Sequence, residues 1–213
     1  MKNKTSRYGL PLKVEFCSKC VMSNQKPNSS IEFTSSNPKN KTGINIEKKI
    51  CDACKYNQIK KSIDWEKREK ELIKLLDKHR KNSSAYDVVV PGSGGKDSAY
   101  TAHILKYKYG MNPLTVTWAP HLFTDIGFKN FNNWMRIGGL DNLLFTPNGL
   151  LHKRLTSLAF KNLLHPFQPF IIGQKLIAPK IAEKFNIPLI MYGENQAEYG
   201  NKISENYVPK MDE

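Results

Sequence analysis

A short β-branched run, Val88-Val89-Val90, leads into Pro91-Gly92-Ser93-Gly94-Gly95-Lys96-Asp97-Ser98, and from Asp97 to about Tyr109 the pattern reads as a helix stopped by Gly110. A strand, a glycine loop and a helix in that order constrain this chain more than any other feature. Glycines let the backbone turn tightly and bring its N–H groups against an anion. The helix that follows aims its positive end at the same point. Ser93 and Ser98 add hydroxyl donors, Lys96 adds a positive charge, and Asp97 reads as a helix N-cap or a magnesium-linked ligand. The spacing differs from Gly-x4-Gly-Lys-Ser/Thr, so this is not the usual nucleoside-triphosphatase loop. Nor is it the Gly-x-Gly-x-x-Gly of nicotinamide and flavin sites. A glycine turn without a ligand is the plain alternative, and the flanking strand and helix argue against it.

Around the loop, apolar runs and helical stretches alternate. Tyr86–Val90, Leu114–Trp118, Asn142–Thr146 and Ile187–Tyr192 read as strands, and Phe128–Ile137, Leu150–Leu164 and Gln174–Phe185 as helices. This pattern predicts an α/β fold, a mostly parallel sheet with helices on both faces. Ligands of such sheets sit at the carboxyl ends of the strands. The glycine loop, Trp118-Ala119 and Gly193-Glu194-Asn195 all fall on that rim. Upstream, Ile63–Lys81 reads as a helix with Leu72, Ile73, Leu75 and Leu76 on one buried face, and residues 35–43 as an exposed loop. The expected organisation is a loose arm over 1–15, a cysteine-bearing region over 16–62 and the α/β domain over 63–213.

All four cysteines lie in that middle region, as Cys17-x-x-Cys20 and Cys51-x-x-Cys54. Each pair can place two thiolates on one metal, and together they make a closed tetrahedral set for structural zinc (Zn2+). An iron–sulfur cluster or a set of redox thiols is the alternative. The stretch has too few apolar residues to fold by burial alone, which favours a metal. Glu194 and Glu198 can hold magnesium, orient ammonia or bind sugar hydroxyls, against the plain alternative of solvated side chains. No apolar run approaches the roughly 18 residues a spanning helix needs. The basic start, Met1-Lys2-Asn3-Lys4, is followed by no hydrophobic stretch, so the expectation is a cytoplasmic protein with no membrane partner. Net charge is +14, with 20 Lys/Arg against 9 Asp/Glu in residues 1–81 and 13 against 10 afterwards. A basic first third points to a polyanionic partner or an anionic substrate; a lysine-rich solvated surface is the bland alternative.

Ser-Gly-Gly-x-Asp-Ser after a buried strand resembles the PP-loop ATP pyrophosphatases. The resemblance implies that Ser93, Gly94, Gly95, Lys96, Asp97 and Ser98 grip the β,γ-pyrophosphate of ATP with Mg2+. A substrate oxygen then attacks the α-phosphorus, and Trp118 and Ala119 are candidates to line the adenine pocket. The wider set is similar to the N-acetyl sugar amidotransferases of bacterial surface-glycan biosynthesis. That set is Cys17-Ser18-Lys19-Cys20-Val21-Met22, Cys51-Asp52-Ala53-Cys54, the loop, Thr117-Trp118-Ala119-Pro120, His165–Gln174 and Gly193–Gly200. It covers Phe16 to about Asn201.

The resemblance implies adenylation of an N-acetyl oxygen on an acetamido sugar or sugar nucleotide, as in lipopolysaccharide or nonulosonic acid formation. Ammonia then displaces AMP and leaves an acetamidino group. Lys96, Asp97, Glu194 and Glu198 are the implied catalytic groups, with Asn195 a further contact. Ammonia would come from separate glutaminase and cyclase-like subunits, since the four paired cysteines leave no glutaminase nucleophile in this chain. The family's members continue beyond residue 213, so the expectation is a fragment, a shortened reading frame or half of a split enzyme. The rival from another substrate class is a PP-loop tRNA thiolase. That reading would need a reactive sulfur, and no cysteine follows Cys54.

Overall fold

The computed structural model describes residues 10–26, 43–81 and 85–194. They fall into two compact units, one reaching to Trp65 and one spanning Glu66–Glu194. The expected loop over 35–43 lies almost wholly outside the described residues, as do most of the arm, Asn195 and Glu198.

In the first unit, strand β1 (Ile46–Glu47) pairs antiparallel with β2 (Ile50–Cys51). Lys48 and Lys49 make the turn between them, both at positive φ (49° and 62°), as a two-residue hairpin of this twist requires. Helix α1 (Asp52–Lys61) starts directly from Cys51. Asn24, a buried polar residue, accepts from the Glu15 N–H at 3.1 Å and donates to the Lys13 carbonyl at 2.9 Å, which ties the incoming chain to the first knuckle. Among the described residues its apolar core is Cys17, Ile44 and Cys51, with Met22, Ile46, Ala53 and Cys54 packed beside them.

The second unit is α/β. Helix α2 runs Trp65–His79, followed by β3 (Val88–Pro91), α3 (Lys96–Tyr107), β4 (Pro113–Trp118), α4 (Asp125–Arg136), β5 (Asp141–Phe145), α5 (Gly149–Leu163) and α6 (Gln168–Lys184). The three strands form a parallel sheet in the order β3-β4-β5. Alternate residues of β3 serve opposite faces, as the two-residue period demands. Val88 and Val90 pack with Leu76, Ala102, Leu105, Phe131 and Trp134, whereas Val89 joins Leu114, Val116, Ile177, Ala178 and Ala182. Helices thus cover both faces, and the core lies between α2, α3 and α4 on one side and α6 on the other.

Several local expectations change. The run Ile187–Tyr192 contributes one isolated parallel bridge, Val89↔Ile190, rather than a full strand. It holds β3 by two bonds, Val89 N–H to the Leu189 carbonyl and Met191 N–H to the Val89 carbonyl, both 2.9 Å. The ladder stops there because the Asp87 N–H, next in line before Val89, donates to the Asn112 carbonyl (2.9 Å) and the Ile187 N–H to the Ala182 carbonyl (2.8 Å). Helix α6 begins at Gln168 rather than Gln174, because Pro169 in its first turn starts a helix instead of blocking one. Helix α4 begins at Asp125 rather than Phe128, where the Thr124 hydroxyl oxygen accepts from the Gly127 N–H at 3.0 Å. On α2 the buried face narrows to Leu72 and Leu76, with Ile73 and Leu75 exposed.

One buried carboxylate explains where β3 starts. Asp87 accepts the Lys81 N–H at 2.6 Å and the Asn112 N–H at 2.9 Å. It joins the end of the α2 segment to the start of β4, so the ladder begins at Val88 and not at Tyr86.

Candidate active site and metal centre

β3 ends at Pro91, and Gly92 still donates to the Val116 carbonyl (2.9 Å), which anchors the loop to the rim of β4. Gly94 then takes φ +82°, a conformation that L side chains rarely adopt. A Cβ there would lie 2.8 Å from the Phe131 Cα, so α4 is the wall against which the loop is folded. Trp134, one turn further along α4, reaches beneath Gly92. The sequence pointed to the loop but not to this wall; its trace was the i, i+3 series Phe128, Phe131 and Trp134.

Gly95 is the N-cap of α3, with φ −66° and ψ 159° and no side-chain cap. The expectation of Asp97 as N-cap is therefore corrected. Asp97 lies in the first turn, two residues inside the helix, because Gly95 already has the extended backbone that a cap needs. Its carboxylate is half exposed and pairs with the Lys96 ammonium at 2.7 Å. Ser98 turns its hydroxyl to the Gly95 carbonyl at 3.2 Å, and Ser93 is exposed. Gly193 closes the site from the far side: a Cβ on it would lie 2.6 Å from the Asp97 carbonyl carbon and 2.8 Å from the Ser98 nitrogen. Glu194, exposed, follows immediately. Loop and Gly193-Glu194 are thus brought together.

A bare, helix-capping glycine is the distinctive feature of this loop. Nothing lies within 4 Å of a Cβ on Gly95. The fold therefore sets no steric demand for glycine there, whereas backbone N–H groups approached closely by an oxyanion would. An exposed lysine and carboxylate stand beside it, the combination that neutralises a phosphate and holds its metal.

Trp118 and Ala119 do end β4 on the same rim. Ala119 is buried and donates its N–H to the Phe145 carbonyl at 2.9 Å. The Trp118 ring is stacked on Phe145, with centroids 4.9 Å apart at 26°, and the backbone of α6 approaches it at Gly173.

In the first unit the four thiol sulfurs lie within 4.8 Å of one another, close enough for one metal ion. Backbone N–H groups of Lys19 and Cys51 both donate to the Cys17 sulfur, each at 3.4 Å. Chiefly through the Cys51 backbone, they hold the Cys17 thiol down to about 6. The Cys54 thiol is pushed up to about 12, first by its contact with Cys20 and then by burial, and burial raises Cys51. One sulfur is prepared as an anion and its neighbours resist a second negative charge. A divalent cation at the centre removes that conflict. The donor set fits a metal.

No family model matches the chain. An uncharacterized protein of Methanocaldococcus jannaschii is 38% identical over 79 residues, which are 37% of this chain and 28% of that protein. Among solved structures, the NH3-dependent NAD synthetase of Campylobacter jejuni, in complex with nitrate, aligns with a TM-score of 0.46 at 16% identity, covering 63% of this chain and 58% of that one. The NMN synthetase of Francisella tularensis aligns with a TM-score of 0.44 at 17% identity, covering 59% and 52%. This chain spans about a quarter of the archaeal relative and little more than half of either synthetase.

Proposed function

We propose that this chain is the nucleotide-splitting part of a PP-loop amidotransferase acting on an acetamido sugar of bacterial surface glycans. The observation that carries the reading is the loop itself: a left-handed Gly94 against α4, an uncrowded Gly95 capping α3, and Lys96 and Asp97 beside it. Ser93, Gly94, Gly95, Lys96 and Ser98 hold the β,γ-pyrophosphate of ATP, and Asp97 holds its Mg2+. Of the two residues expected at the adenine, Ala119, buried just past the end of β4, borders it. Glu194, with Asn195 and Glu198, meets the acceptor or the ammonia. Zn2+ at Cys17, Cys20, Cys51 and Cys54 is structural.

The chemistry balances without a protein nucleophile. The acetamido oxygen attacks the α-phosphorus, and the phosphoanhydride bond breaks to release pyrophosphate. The ammonia lone pair adds to the activated carbon, the carbon–oxygen bond breaks, AMP departs and a proton is lost to leave the amidine. A glutaminase partner supplies the ammonia in the cytoplasm; no helix among the described residues is long and apolar enough to cross a membrane.

The test is pyrophosphate release from MgATP and ammonium, with acetamido-sugar nucleotides compared against tRNA and the sugar product weighed by mass spectrometry. Release that requires the sugar, with oxygen replaced by NH, is the expected result. Release that requires only tRNA would overturn it in favour of thiolation.

Two neighbouring glycines separate the roles of fold and ligand. Gly94→Ala carries a left-handed penalty of about 1–2 kcal/mol and presses on the α4 backbone. It should lower the melting temperature by about 5 °C. Gly95→Ala has compatible dihedrals and open space and loses only the preference of an N-cap for glycine over alanine, so its melting temperature should fall less than that of Gly94→Ala. Its MgATP affinity in calorimetric titration should nevertheless fall about tenfold or more. Unchanged ATP affinity in Gly95→Ala would remove the phosphate from this loop.

A further inference from the structure

Beside the loop, at the carboxyl ends of β4 and β5, several rings gather that neither the phosphate nor the metal site uses. His121, just past β4, lies 4.7 Å from His152 in the first turn of α5 and 5.3 Å from Phe170 in the first turn of α6. His152 lies 6.4 Å from Trp118, which stacks on Phe145. Phe167, at 6.0 Å from His121, extends the wall. His121, Phe145 and Phe167 are exposed, so the rings face solvent at the rim.

Within this ring wall, polar atoms are buried without partners. They are the indole N–H of Trp118, Nε2 of His152 and the hydroxyl of Thr156, one turn beyond His152 on α5. Buried polar atoms are nearly always hydrogen-bonded, and three orphans in one neighbourhood call for an explanation. Burial, and then His121, lower the His152 pKa, so its imidazole is neutral at neutral pH. Trp118 shares the sheet face of Leu114 and Val116, packed on α6, whereas the loop opens into α3 on the opposite face. Gly173 admits this arrangement, since a side chain there would run into the indole.

We propose that this ring-lined basin is the acceptor subsite, taking an uncharged ring that carries hydroxyl or amide oxygens, the chemistry of a carbohydrate. The inference rests on the amidotransferase reading for the word acceptor; the binding site itself rests on the rings and the orphaned atoms. Aromatic faces meet the apolar side of such a ring. The indole N–H, the imidazole and the threonine hydroxyl meet its oxygens, and neutral donors suit a neutral ligand better than a phosphate. β4, whose carboxyl end carries the basin, pairs directly with β3, which leads into the loop, so both lie on the same rim of the sheet.

The test uses the full metal-loaded chain and N-acetylglucosamine as probe, read by nitrogen–proton correlation spectra of its three indoles, with Trp118→Phe assigning the signal. The expected result is a sugar-dependent shift of the Trp118 indole N–H. Its apparent affinity should fall about tenfold in His121→Ala, an exposed position that leaves folding intact, and again in Thr156→Val. MgATP alone should leave that signal in place. No sugar-dependent shift, or equal affinity in both variants, overturns the basin. A Trp118 shift by MgATP that the sugar cannot add to makes the basin part of the nucleotide site, and overturns the proposal while the loop reading stands. Sugar binding at Trp118 in a chain that releases no pyrophosphate keeps the basin and removes the amidotransferase.

Discussion

Asp97→Ala should lower pyrophosphate release at least about 100-fold, the scale of one lost transition-state electrostatic contact, while leaving the fold nearly untouched. The fold half of this expectation follows from where the carboxylate stands. It is 52% exposed, and its partner is the still more exposed Lys96 ammonium. Such surface pairs contribute about 0–1 kcal/mol, and a carboxylate in the first turn of α3 adds about 0.3–1 kcal/mol through the helix dipole. Together these amount to at most about 2 kcal/mol, so the melting temperature should drop by about 6 °C or less. The activity half follows from chemistry. A pyrophosphate leaving group with its metal concentrates charge at the loop, and Asp97 is the carboxylate of the loop itself. Asp97→Asn, which keeps the shape and removes the charge, should lose nearly as much activity as alanine. Full activity in a normally folded Asp97→Ala protein would refute the assignment of this loop to pyrophosphate.

The sequence made the α/β order legible because β3 and β4 are short buried runs set among stretches of helical pattern. Val88-Val89-Val90 could be read directly, since a strand covered on both faces needs no alternation. Its start could not, because Asp87 spends its carboxylate on the backbone N–H groups of residues far apart in sequence, Lys81 and Asn112. The last strand was over-read for a related reason. Ile187, Leu189 and Met191 are apolar as in a strand, but the Ile187 and Asp87 N–H groups go to Ala182 and Asn112, which leaves two backbone bonds to β3. Of the site, the loop residues and Gly193 could be found from composition at strand ends. The support from Phe131 and Trp134 could not, because it depends on how α4 crosses the rim. The histidines of the second basin were invisible for the same reason: His121 and His152 are 31 residues apart and meet only through the order of β4 and β5.

Removing the metal should unfold the first unit and spare the second. Among its described residues the cysteine unit has a core of three buried residues, two of which are cysteines, and Cys51 is wholly buried. Its sheet is two residues long on each side, far below what stands alone in water. Binding of structural zinc contributes about 10–16 kcal/mol in small domains, and nothing among the described residues of this unit approaches that. Cys51→Ser, or a strong chelator, should therefore abolish amide protection across β1, β2 and α1 in hydrogen exchange. Protection in β3, β4 and α6 should persist, because their core of Val89, Leu114, Val116, Ile177 and Ala178 contains no cysteine. The same preparation should carry one zinc per chain before treatment and none after. Retained protection over residues 43–61 in a metal-free chain would show that hydrogen bonding and burial suffice there. Stoichiometric iron with visible absorbance would replace zinc by a cluster. Either result would also reopen sulfur chemistry: Cys20 is the exposed member of the four, and freed from a closed zinc site it is the thiol a thiolase would need.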